Sequence, residues 1–395
     1  MDTTKLRPYL VVPKLIEQPT WGGTYIAESK KWQDTPTLAG KKIGQSYELY
    51  DKSNLSFAKT SQDPQFVGEI ADNKSVEQQS VVPHGMALSD LIALDPSVVL
   101  GKRNVSAYGA TMHLLLKFTQ ALGNSFQLHI PDGVKNDHWK PKPESWYYFE
   151  PGLITCGVRK DADWGAYEGA VTKLDTEMQA VAARVRDGSL RYEDAKPLIA
   201  QLVKDANPWQ YVNVLRVEKG TLIDLSPCGI HHSWEEDLAA IPLGNVLYEI
   251  QLNVMDDVAT LRSFDKGKMS KDGKLRSLQI AEYFTYADRS PAANDPKTHM
   301  REAKNVTKTE AYTHDRILET KYYSMDRITF ARPDTTFESA IDTFRHIFVK
   351  SGGITVTAGE TPVTVTSGHS VFIPAGCQSY KVVSSSPDTE ILISY

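Results

Sequence analysis

Residues 355–380 read TVTAGETPVTVTSGHSVFIPAGCQSY. β-Branched and apolar residues recur there in short runs, TVTAG, TPVTVTSG and HSVFIPAG, each cut by Gly, Pro or Ser. Turn signals about every eight to twelve residues between such runs predict short antiparallel strands, as in a sandwich or jelly roll. The same pattern stands earlier, over residues 212–253, as VNVLRVEKGTLIDLSPCG and then NVLYEIQLN. Both stretches set a glycine turn ahead of a strand ending in Pro-x-Gly, Pro227–Gly229 in one and Pro374–Gly376 in the other. The chain therefore reads as mainly β, with two jelly-roll, cupin-like barrels.

One block breaks the pattern. Between Trp164 and Leu202, the residues Ala170, Leu174, Met178, Val181 and Val185 recur at three- and four-residue steps, which predicts an amphipathic helix. Gly188 ends it, and a second helix is expected over residues 191–203. The expected domains are residues 1–158 with 205–285 as a first, catalytic barrel, 159–204 as a small helical insertion, and 286–395 as a second barrel. The mixed-charge segment 266–274 reads as an exposed loop.

Composition narrows the function. The chain has 395 residues, a net charge of −5, 24% charged and 41% hydrophobic residues, the profile of an ordinary globular protein. No basic surplus exists to release counterions, which argues against nucleic acid as a partner. No stretch approaches a membrane span or a secretory signal, so no membrane partner is expected and cytoplasm is the default. Cys156, Cys228 and Cys377 are an odd, scattered set, unlike a disulfide framework or a thiolate metal site.

Four residues carry candidate chemistry. Gln127 and His129, two apart in NSFQLHIP, fall on one face of a strand. Glu144 follows in KPKPESWYYF, and His232 follows the Pro227 turn in SPCGIHHSW. An amide oxygen, two imidazoles and a carboxylate make a mixed N/O site that suits Zn²⁺, though Fe²⁺, Mn²⁺ or Co²⁺ also fit. A lone Gln-x-His is more often a half-buried strand with satisfied polar groups, and the spacing alone leaves both readings open.

The order of short motifs goes further: Trp21-Gly22-Gly23, Gly44-Gln45-Ser46-Tyr47-Glu48, Leu115-Leu116-Lys117-Phe118, Gln127-Leu128-His129, Lys142-Pro143-Glu144-Ser145-Trp146-Tyr147, Pro227-Cys228-Gly229-Ile230-His231-His232, Glu249-Ile250-Gln251-Leu252-Asn253 and Gly273-Lys274-Leu275-Arg276-Ser277-Leu278. In this order they resemble the motifs of class I mannose-6-phosphate isomerases (phosphomannose isomerases, cupin superfamily). The resemblance implies one Zn²⁺ per chain held by Gln127, His129, Glu144 and His232, with His231 facing away. It implies Arg262 as the catalytic arginine and Lys142 as a lysine beside the metal. The implied activity interconverts mannose 6-phosphate and fructose 6-phosphate through a cis-enediolate. Lys142 would be the base if the metal lowered its pKa, and metal-bound water is the alternative.

For the phosphate, Lys117 and Lys140 are the expected cations, alongside Lys142; Trp21 is a candidate for stacking on the sugar. Ile130 between His129 and Pro131, a longer 253–262 stretch, and Gln45 and Tyr47 depart from the family pattern and leave the choice of sugar open. In the second barrel Pro374-Ala375-Gly376 is followed by Cys377, Gln378 and Ser379, and His346 and His369 stand alone, so it is expected to hold no metal. The rivals are an isomerase of a different sugar, a cupin metal oxygenase and a non-catalytic sugar-binding cupin. The expected partner is a small sugar phosphate; monomer and homodimer are both open.

Overall fold

The strand Leu114–Ala121, LLLKFTQA, is buried along its whole length and shows how the layers are built. Leu114, Leu116 and Phe118 enter one core, whereas Leu115, Lys117 and Ala121 face the other way, as the two-residue period of a strand requires. A strand covered on both faces belongs to the middle of a stack. The computed structural model describes residues 6–395 except 73, 74, 81, 124, 235 and 236, with 229 and 231–234 described by backbone alone.

The described strands form four open sheets of nine, eight, five and four strands. The mainly β expectation therefore holds, while two closed barrels are not formed among the described residues: the sheets stack face to face. Leu114–Ala121 lies in the eight-stranded sheet, paired in register with Asn245–Leu252, which pairs in turn with Glu144–Tyr148. One face of this sheet packs on the nine-stranded sheet through Phe118, Phe149, Tyr248 and Phe348, with Phe118 and Phe348 ring centroids 5.4 Å apart. Its other face packs Trp146, Tyr148 and Leu247 against Ile154 and Cys156 of the five-stranded sheet. Phe126, Leu128, Ile130 and Ile230 on the far side of the five-stranded sheet meet the helical lobe.

That lobe is the helices Trp164–Arg186 and Tyr192–Ala206. Asp163 caps the first, its carboxylate accepting from Ala166 N at 2.7 Å, a contact worth about 1 kcal/mol. The chain leaves it through Gly188, at φ +79°. Its buried face is Tyr167, Val171, Leu174, Met178 and Ala182; Ala170, Val181 and Val185 only flank it. The expected stripe was rotated by about a residue because Tyr167, not counted as apolar, fills the core.

The segment after Leu261–Asp265 is no free loop. A Cβ on Gly267 (φ +67°) would lie 2.3 Å from Ile199, and one on Gly273 (φ +74°) would lie 2.9 Å from Ala182 O. Arg186 also donates to Gly273 O at 2.7 Å. Both glycines bring this segment hard against the helices, where no side chain fits.

The sheets do not divide at residue 286. Tyr9–Val12, Asn54–Ser56 and Gly85–Ala87 add to the nine-stranded sheet, with Leu10 paired to Val371 of Ser370–Ile373. A buried ion pair reinforces this, Lys30 Nζ to Glu48 Oε1 at 2.7 Å, with Ser370 Oγ donating to Glu48 Oε2 at 2.9 Å. Conversely Met300–Arg301 joins the eight-stranded sheet beside Leu222–Asp224. Among the described residues no helix is long and apolar enough to cross a membrane.

Candidate active site

Between the eight- and five-stranded sheets the apolar core gives way to a polar cavity of about 390 Å³. The eight-stranded sheet supplies Lys117, Glu249, Gln251 and, at the start of its strand, Glu144; the five-stranded sheet supplies Gln127 and Arg262. Alternation does the placing: Glu249 and Gln251 share the face that Tyr248 and Ile250 do not. Trp21, Tyr47, Lys142, Asp256 and Arg276 complete much of the wall.

His129 is wholly buried beside Glu144, with Nε2 3.4 Å from Glu144 Oε2. Its Nδ1 lies 2.6 Å from Ala259 O, so Nδ1 carries the hydrogen and Nε2 is the basic atom. Gln127 Nε2 donates to Ser125 Oγ at 3.0 Å, which leaves its amide oxygen for another partner. An imidazole lone pair and a carboxylate oxygen this close need a proton or a cation between them. A histidine oriented through its other nitrogen by a backbone carbonyl is how proteins prepare a metal ligand. Among the described residues no group of three or more His, Cys, Asp or Glu side chains is placed to hold a metal ion; His129, Glu144 and the Gln127 amide are the described candidates.

The fourth expected ligand, His232, lies on the strand Gly229–Trp234, where His231 pairs with Gln127 and His232 with Phe126. The side chains of both histidines lie outside the described residues.

Lys142 bridges two carboxylates, Asp256 Oδ1 at 2.8 Å and Glu144 Oε2 at 3.3 Å. Burial alone would lower its pKa, but Asp256, Glu144 and Glu249 outweigh burial and hold the ammonium above the usual lysine range. Asp256, whose side chain is more than half exposed, is held well below the usual carboxylate range by Lys142, Arg262 and Lys117. Lys117 sits directly across from Glu249 and binds its Oε1 at 2.9 Å, so it is not a free phosphate cation. Burial raises the Glu249 pKa despite Lys117, and Glu249 Oε2 has no hydrogen-bond partner among the described residues.

Lys140 is exposed and does not line the cavity; its backbone N is tied to Val258 O at 2.8 Å. Trp21 does line it. Sequence reasoning did not single out Glu249, Gln251 or Arg276, which also line the cavity. The alternation of Glu-Ile-Gln already implied the first two. Of the lone histidines in the C-terminal part, His346 is buried between Tyr248 OH (3.1 Å) and Glu48 O (3.2 Å), and His369 packs on Trp32 and Phe66.

This stack of sheets with its polar cavity is the fold of the mannose-6-phosphate isomerases. The chain matches the Bacillus subtilis mannose 6-phosphate isomerase at TM-score 0.63 and 16% identity, covering 98% of this chain and 99% of that one. It matches the Salmonella typhimurium enzyme bound to its substrate and a zinc atom at TM-score 0.61 and 12% identity, with the same coverage. A zinc-bound holo mannose 6-phosphate isomerase matches at TM-score 0.63 and 11% identity. No family model matches the sequence, and no curated protein sequence matches it.

Proposed function

We propose that this protein is a divalent-metal-dependent aldose–ketose isomerase of sugar phosphates, with mannose 6-phosphate and fructose 6-phosphate as the first pair to test. The observation that carries the reading is His129 Nε2 set 3.4 Å from Glu144 Oε2 beside Gln127. Zn²⁺ suits this N/O donor set, with His129, Glu144, Gln127 and His232 as the residues that would hold it. Such a cation supplies a Lewis acid for the oxyanion that develops beside a carbonyl.

The chain's own groups divide the remaining work. Lys142, ion-paired to Asp256 and Glu144, is the cation beside the proposed metal ligands and stabilises negative charge on the substrate. Arg262 lies largely buried on the same wall and, being protonated at any ordinary pH, supplies fixed positive charge for the anionic substrate. Glu249 is the carboxyl suited to move the proton between C1 and C2: it lines the cavity, its pKa is raised, and one oxygen is uncommitted. The test is a coupled assay on mannose 6-phosphate with zinc-replete and chelator-treated protein. Turnover lost on chelation and restored by Zn²⁺ is the expected result. Absence of turnover in fully metallated protein overturns the assignment.

A further inference from the structure

The cavity wall carries two arginines whose neighbours do not neutralise them equally. Arg262 is largely buried, yet its NH1 meets Thr260 O only at 3.4 Å and its NH2 meets Asp256 Oδ2 only at 3.7 Å. Its Nε has no partner among the described residues. Asp256 gives its closer contact, 2.8 Å, to Lys142. Arg276 stands at the mouth of the same cavity, about half exposed, with NH1 3.0 Å from Oδ2 of the buried Asp265. Both guanidiniums line the same cavity.

Their backbones are locked together. Gln279 N donates to Arg262 O at 3.0 Å, folding the 266–279 segment back along the strand that carries Arg262. Gly267 and Gly273 fix the other end of that segment on the helices. Arg262 itself pairs across the sheet with Gln127, which puts it directly beside the proposed metal ligands, with Arg276 further out. Two planar donors on one cavity wall, one of them incompletely bonded, form a seat for an oxyanion with several acceptor oxygens.

We propose that Arg276, together with Arg262, binds the phosphate of the substrate, and that Asp265 is the residue that positions the Arg276 guanidinium. The identity of the sugar rests on the isomerase reading above; the anion seat does not. Asp257, an exposed carboxylate on the cavity lining, and Asp256 face this region, so a dianion enters only where the arginines outweigh them.

The test has two arms. Inorganic phosphate is titrated into the chelator-treated full chain and followed by ³¹P line broadening, so that metal cannot report it. Arg276→Ala should weaken phosphate binding by about tenfold or more, with Arg276→Lys in between because it keeps charge but loses the fork. Asp265→Asn should weaken it less, and a thermal melt within a few degrees of wild type shows that each variant is folded. In the second arm, zinc-replete Arg276→Ala should raise KM for mannose 6-phosphate more than it lowers kcat.

Equal phosphate affinity in wild type and folded Arg276→Ala, or no binding by wild type, overturns the seat. Phosphate binding that depends on Arg276 in a protein without isomerase turnover overturns the isomerase reading and leaves the seat. Strong turnover with an unchanged KM in Arg276→Ala does the reverse.

Discussion

Glu144 touches both His129 and Lys142, and the two contacts compete for the same oxygen, Oε2. Removing its charge should release the site's hold on a cation. Glu144→Gln is expected to lose most bound zinc by elemental analysis, a drop of about 10–100-fold in affinity at least, since a direct ligand matters no less than its supports. Glu249→Gln should keep zinc and lose about 10²–10⁴-fold in kcat, the usual range for a general base; near-normal kcat would remove Glu249 from proton transfer. His346 supplies a pH prediction. Burial lowers its pKa from 6.5 to about 3, so between those values the unfolded chain binds a proton that the folded chain does not. Stability is therefore complete above pH 6.5 and falls as pH drops towards 3, by about 1.4 kcal/mol per pH unit for this residue. His113, lowered by burial to about 4, adds to the same limb. Denaturant titrations of His346→Gln across pH 4–7 should show a shallower acid slope. At this scale the sequence was partly readable. Gln127, Glu144, Lys142 and Arg262 come from motifs on or beside strands, where alternation or neighbouring residues fix direction. The side chains of the histidine pair lie outside the described residues. Arg276 was missed as a site residue because it lies outside any regular element, with no period to aim it.

Among the elements, the helical lobe is the one with least apparent connection to chemistry, since it packs behind the five-stranded sheet. Its contact with Gly273 gives it one. Gly273→Ala meets both a left-handed backbone and the Ala182 carbonyl, at a cost of about 1–2 kcal/mol for the backbone alone. The expected outcome is a lower melting temperature together with a raised KM for mannose 6-phosphate. A melting change with unchanged KM would mean that the segment moves without carrying Arg276 along. The sequence located both helices to within a few residues, since long periodic segments declare themselves. It could not show that the glycines of the following segment are docking points, because a glycine in a charged loop looks like any turn.

For the molecule as a whole, the decisive fact is that one hydrophobic core joins Leu10, Phe118, Tyr248, Phe348 and Val371. Units that share a core and exchange strands unfold together. Calorimetry should give a single cooperative transition, and Phe348→Ala should lower it by about 3–5 kcal/mol of stability without splitting it. Two resolved transitions would show that the sheets are energetically separate. The repeat of Pro-x-Gly strands made two similar units legible, but strand exchange between them was not, since pairing partners hundreds of residues apart leave no local mark. The position of Tyr9–Val12 between Ser370–Ile373 and Asn54–Ser56 also has a consequence for biosynthesis. A strand made among the first must wait with one edge open until a strand made among the last leaves the ribosome. Such long-range closure is slow and leaves an edge that invites other chains, so in vivo yield of this protein should respond to translation rate and chaperone supply.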